Sequence, residues 1–130
     1  DIPEIIITNG DVLSEISFAD LLSYHMKCNS DATMCTKQFE QEIPYGVVST
    51  KNKMITAIEE KPKVSFKINS GIYCLSQKVL RYIPNNEYYD ITSLFTLLLS
   101  KNYNIISYNT NEFWVDIGNP EELKRVNGNR

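Results

Sequence analysis

The sequence predicts a mixed α/β sheet flanked by helices, and three observations carry that expectation. The apolar run Ile5-Ile6-Ile7 opens the chain without clean alternation, as a strand covered on both faces does. Strand and helix patterns then alternate. The middle, residues 46–60, instead carries a strand-turn-strand pattern pivoting near Lys51-Asn52, which sets a hairpin into the alternating order.

Taken in order, residues 5–12 read as the first strand. Asn9-Gly10 breaks the run and leaves Asp11 at its carboxyl end, where open α/β sheets place ligands. Ser17 starts a helix, with Asp20 three residues on in a capping-box arrangement. Phe18, Leu21, Leu22 and either His25 or Met26 form its buried stripe, and His25 reads as a partly exposed helix residue. Residues 31–39 read as the second strand and 68–75 as the one after the hairpin. Ser76 then caps a short helix that Pro84 ends, and Asp90 caps a longer one with Ile91, Leu94, Phe95, Leu98 and Leu99 on one side. Residues 103–108 form another strand. Residues 113–117 form a short buried segment, with Trp114 packed beneath Asp116. Asn119, Pro120 and Glu121-Glu122 supply a cap, a first-position proline and first-turn acids for a final helix that Gly128 can stop.

Composition bounds the function. The 130 residues are 42% hydrophobic and 22% charged, ordinary for one globular domain over residues 1–130 with a real core. The net charge of −3 gives no basic footprint, so no nucleic-acid partner is expected. No apolar run approaches the roughly 18 residues of a membrane span, so no membrane partner is expected either. The start shows neither the basic nor the long apolar stretch of a signal peptide. Cys28, Cys35 and Cys74 are odd in number and lack C-x-x-C spacing, which reads as buried thiols in a cytoplasmic protein.

The chemistry lies in five short motifs. They are Asn9-Gly10-Asp11, Pro44-Tyr45-Gly46-Val47-Val48, Glu59-Glu60-Lys61-Pro62, Asn69-Ser70-Gly71-Ile72-Tyr73 and Trp114-Val115-Asp116-Ile117-Gly118. Two carboxylates at strand ends can hold one Mg²⁺, and a nearby lysine can hold a phosphate. Phosphoryl chemistry on a nucleotide needs that combination.

In this order the motifs resemble those of the sugar-1-phosphate nucleotidyltransferases, which include glucose-1-phosphate thymidylyltransferase and mannose-1-phosphate guanylyltransferase. The resemblance runs from Ile5 to about Val126. It implies a Rossmann-like sheet of the nucleotide-diphospho-sugar transferase type. It also implies transfer of a nucleotidyl group from a nucleoside triphosphate to a sugar-1-phosphate, giving an NDP-sugar and pyrophosphate. By the same resemblance Asp11 and Asp116 are Mg²⁺ ligands, and Lys61 completes the catalytic set by pairing with the sugar phosphate. Glu60 binds sugar hydroxyls, and Tyr45, Gly46, Asn69 and Gly71 line the sugar pocket. The family opens with a strand and a Gly-rich, Arg-containing phosphate loop. Here Gly46, Gly71 and Gly118 stand alone and no G-x-G occurs. The expectation is therefore an incomplete catalytic domain lacking its N-terminal strand and phosphate loop, inactive by itself. Its sheet edge beside residues 5–12 would be exposed and open to homo-oligomer formation. Two other readings are a non-catalytic sugar-phosphate-binding or assembly remnant and a metal-dependent glycosyltransferase using a nucleotide-sugar. The latter usually shows Asp-x-Asp where this chain has Asn9-Gly10-Asp11.

Overall fold

The computed structural model describes residues 3–128. Along them run β1 (Ile5–Thr8), β2 (Val12–Ser14), α1 (Phe18–Lys27), β3 (Ala32–Glu42), β4 (Val47–Lys51), β5 (Met54–Glu59) and β6 (Lys63–Leu75). A 3-10 helix (Gln77–Tyr82), α2 (Ile91–Ser100), β7 (Ile105–Asn109), β8 (Trp114–Asp116) and α3 (Pro120–Gly128) follow. The strand expected over 5–12 is thus two, because Asn9-Gly10-Asp11 turns the chain between β1 and β2. The described residues pack as two compact units, one up to Lys37 and again from Asn69, the other Gln38–Ile68.

The first unit is built on a sheet in the order β1-β6-β3-β7. β6 is antiparallel to β1, with Ile5 opposite Leu75 and Thr8 opposite Ile72. β3 is parallel to β7, with Ala32 opposite Ile105. The Ser76 amide donates to Asp31 O (3.0 Å) and Ser70 Oγ to Cys35 O (2.8 Å), so β6 runs back along β3. The sheet is mixed, as the sequence predicts.

Period-two alternation sends neighbouring side chains to opposite faces, and both faces are covered. Ile72 and Cys74 join Cys35 and Leu21 of α1 in one buried cluster. Tyr73 and Leu75 join Ala32, Val79 and the α2 residues Leu94, Phe95 and Leu98 in the other. The Tyr73 and Phe95 rings lie 5.5 Å apart in a tilted pair. Burial pushes the Cys35 thiol up to about 12 and the Cys74 thiol up to about 11, so both are neutral core residues.

The caps differ in detail from the sequence expectation. Ser17 Oγ accepts from the Asp20 amide (3.2 Å), and Asn119 Oδ1 accepts from the Glu121 amide (3.0 Å). Asp90 makes no cap bond, because its carboxylate takes the Tyr88 hydroxyl at 2.7 Å. Ser76 makes none either, since its hydroxyl donates to Asp31 O at 2.9 Å. His25 is not a partly exposed residue: it is 1% exposed, and Met26 takes the outward place at 63%. No helix among the described residues is long and apolar enough to cross a membrane.

The second unit holds the outer ends of β3 and β6 and a two-stranded ribbon. β4 and β5 pair antiparallel from Val47 opposite Glu59 to Lys51 opposite Met54, with a bulge between Ser49 and Thr50. Asn52 and Lys53 turn it with φ of 49° and 70°, the left-handed pair that matches the twist of a two-residue hairpin. Every residue of both strands is exposed.

Candidate active site

Asp116 is placed by β8, a three-residue strand anchored through fully buried Val115. β8 pairs antiparallel with β2, Val12 standing opposite Asp116. The Ile117 amide donates to Asp11 O at 2.8 Å, which brings the two acidic positions side by side although more than a hundred residues separate them. The Asp116 carboxylate is steadied locally, since its Oδ1 accepts from the Gly118 amide at 2.9 Å.

Gly118 marks where the carboxylates meet. A Cβ added there would sit 2.7 Å from Asp11 Oδ2 and 3.1 Å from Asp116 Oδ1. Two oxygens, one from the turn before β2 and one from the end of β8, thus close on one point that only glycine leaves open. Among the described residues neither carboxylate forms an ion pair, and no group of three or more His, Cys, Asp or Glu side chains could hold a metal. A pair of uncompensated carboxylates fits Mg²⁺, which keeps several waters and takes one or two protein carboxylates plus substrate phosphates.

The floor beside the acids is the stretch Asn69-Ser70-Gly71. Gly71 has φ +81°, and a Cβ there would meet Asn9 Nδ2 at 2.7 Å and Val12 Cγ2 at 3.2 Å, so both its backbone and its neighbours demand glycine. Asn69 Oδ1 accepts from the Gly71 amide and Asn69 Nδ2 donates to the Tyr73 hydroxyl, each at 2.8 Å. Burial pushes the Tyr73 phenol up, while the bond from Asn69 acts the other way. The Asn9 amide donates to Gly71 O (2.8 Å) and Trp114 Nε1 to Ser70 O (2.6 Å), tying the turn after β1 and the strand β8 to β6. Trp114 is half-buried rather than core: Lys37 stands over its ring at 5.2 Å and donates to its carbonyl at 3.3 Å.

Asn9, Asp11, Val12, Asn69, Ser70, Gly71, Trp114 and Asp116 together line a cavity of about 140 Å³. Four of the sequence-predicted residues, Asp11, Asp116, Asn69 and Gly71, therefore share one cavity. Asn9 and Ser70 join them without having been singled out. Asn9 reads in the sequence only as the first half of a turn signal, and Ser70 acts through its carbonyl, which no side-chain pattern reveals.

The other four lie in the second unit, at the base of the hairpin. The Lys61 amide donates to Tyr45 O at 3.3 Å, and Lys61 holds φ +44°. A Cβ on Gly46 would stand 3.2 Å from Glu60 Oε2, so the glycine leaves room for that carboxylate. The Ile43 amide closes the next bond out, to Pro62 O at 2.9 Å. Tyr45 is 73% exposed and the Lys61 side chain is also exposed, so both groups are free to meet a ligand.

The model of the nucleotidyl transferase family matches residues 1–129. A UTP–glucose-1-phosphate uridylyltransferase of Synechocystis is 33% identical over 132 residues, covering 95% of this chain and 34% of that protein. A mannose-1-phosphate guanyltransferase of Yarrowia lipolytica is 30% identical over 121 residues, covering 90% of this chain and 33% of that protein. The crystal structure of HddC from Yersinia pseudotuberculosis superposes with a TM-score of 0.63 at 22% identity, over 94% of this chain and 53% of that one, which shows a shared fold. The chain spans about a third of the length of these curated relatives. The family model spans nearly the whole chain, and the chain belongs to the nucleotidyl transferase family.

Proposed function

We propose that this chain carries the metal and sugar-phosphate part of a sugar-1-phosphate nucleotidyltransferase. The reaction would move a nucleotidyl group from a nucleoside triphosphate to a sugar-1-phosphate and release pyrophosphate. The observation that carries this reading is the convergence of Asp11 Oδ2 and Asp116 Oδ1 on the point above Gly118. The names of the relatives support the substrate class, since the Synechocystis and Yarrowia proteins are named for uridylyl and guanyl transfer to hexose-1-phosphates.

In-line phosphoryl transfer asks a protein mainly for positioning and charge neutralisation. When bound, Mg²⁺ would supply Lewis-acid polarisation of the α-phosphate. Asp11 and Asp116 would hold it. Lys61, a compact cation on an exposed turn, would take the phosphate of the sugar-1-phosphate. Glu60 would accept hydrogen bonds from sugar hydroxyls. Tyr45 and Gly46 would contact the sugar, as would Asn69 and Gly71. Association of copies through β1, which has one sheet neighbour among the described residues, belongs to the same proposal.

The test is ³¹P NMR of glucose-1-phosphate titrated with the chain, with and without Mg²⁺. The expected result is a shifted phosphate resonance that Lys61→Ala restores toward its free position and that Mg²⁺ strengthens in the wild type but not in Asp11→Asn. A resonance equally shifted by wild type and Lys61→Ala would overturn the assignment.

A further inference from the structure

The chain has one histidine, and it lies outside the acidic site. His25 sits 1% exposed on α1, against the segment entering β1 and the start of β3. Its Nδ1 is 2.8 Å from Thr33 Oγ1 and its Nε2 is 2.9 Å from Glu4 Oε2.

The hydroxyls fix where the hydrogens point. Ser30 Oγ lies 2.8 Å from Ala32 O and 3.4 Å from Asn104 O. Both are carbonyls and can only accept, so the single Ser30 hydrogen goes to them. The 2.9 Å bond between Thr33 Oγ1 and Ser30 Oγ is then donated by Thr33. With that hydrogen committed, Thr33 Oγ1 offers His25 only lone pairs, and Nδ1 must carry a hydrogen. An ionised Glu4 carboxylate is also acceptor-only, so Nε2 carries one as well. We infer that His25 is held as an imidazolium donating from both ring nitrogens, and that it forms a buried, proton-dependent clasp joining the entry to β1, helix α1 and the start of β3.

The same directions exclude a nucleophilic relay. Carboxylate, imidazole and hydroxyl stand in the order such a relay needs. The Thr33 hydrogen, however, points away from His25, and Thr33 is fully buried.

The surroundings favour the charged pair. Glu4 also faces the Cys74 thiol on β6, which burial first and Glu4 second push up to about 11. It faces Lys78 on the 3-10 helix, which is itself paired with Asp31. On the β3 side the ring meets the hydroxyl of Thr33, which in turn donates to Ser30. Removing the second proton would turn a nitrogen lone pair toward an oxygen lone pair inside the fold, leaving a buried acceptor unsatisfied.

The experiment is ¹⁵N-edited NMR of the His25 ring across a pH series, with Glu4→Gln alongside. A single histidine makes the assignment unambiguous. The expected spectrum has both ring nitrogens protonated at neutral pH. In Glu4→Gln the second proton should leave at lower pH while Nδ1 keeps its hydrogen. A wild-type ring that is neutral at neutral pH, with either nitrogen bare, would overturn the inference, and so would an unchanged titration in Glu4→Gln. If Glu4→Gln fails to fold, the wild-type spectrum alone decides.

Discussion

The two units of this chain hold their predicted site residues in different ways. Around Asp11 and Asp116 the geometry is set by buried neighbours and main-chain bonds: Val115 is fully buried, Ser70 bonds β3, and Gly71 leaves no room for a side chain. Around Lys61 the hairpin strands are exposed throughout, with Ile55 at 62% and Ile58 at 67%. There the positions of Tyr45, Gly46, Glu60 and Lys61 come from ladder bonds and turn angles. A metal ligand must be held to a fraction of an ångström, whereas a lysine that follows a phosphate works from a flexible stem. Each unit has the rigidity its proposed role requires.

The sharpest way to break this comparison is to make one substitution in both units. Ile72→Ala, in the buried sheet, should cost about 2–5 kcal/mol of stability by urea unfolding. Next in size, Gly71→Ala combines a positive φ with a close contact to Asn9 and should cost at least about 2 kcal/mol. Third, Gly118→Ala should weaken Mn²⁺ binding about tenfold by pushing Asp11 aside, with little change in unfolding because Gly118 is exposed. Lys61→Ala should weaken sugar-phosphate binding about tenfold to a hundredfold while leaving metal affinity untouched. Smallest of all, Ile58→Ala should change stability by no more than about 0.5 kcal/mol. An Ile58→Ala cost near that of Ile72→Ala would erase the distinction.

The core also has a pH signature. Cys35 and Cys74 are pushed up to about 12 and about 11 from the ordinary value of 9.0, so the folded state keeps protons that the unfolded chain loses. Their contribution is complete below 9.0 and is lost as pH rises through about 11 and about 12. Thermal unfolding monitored from pH 8 upward should show that decline, and Cys35→Ala should flatten it.

The acidic pair was legible in the sequence because Asn9-Gly10-Asp11 and Trp114 to Gly118 sit at strand ends, and strand ends are where turn residues interrupt apolar runs. The hairpin was legible too, with its turn one residue later than the Lys51-Asn52 pivot, at Asn52-Lys53. The outer ends of β3 and β6 were not, because largely exposed stretches such as residues 40–42 and 63–67 carry no burial pattern to read. His25 was misplaced for a related reason. Periodicity left His25 and Met26 as alternatives, and the choice was made by Glu4 and Thr33, which satisfy the ring from parts of the chain that helical spacing does not see. Asp90 failed as a cap because Tyr88, two residues away, competes for its carboxylate.

The most direct test of the central claim is Mn²⁺ binding followed by electron paramagnetic resonance for the wild type, Asp11→Asn, Asp116→Asn and the double variant. If the two carboxylates hold one ion together, each single change should lower affinity by about a hundredfold and the double variant should be little worse than either. Losses that simply add, or wild-type binding no stronger than that of the double variant, would contradict a shared metal site at Asp11 and Asp116.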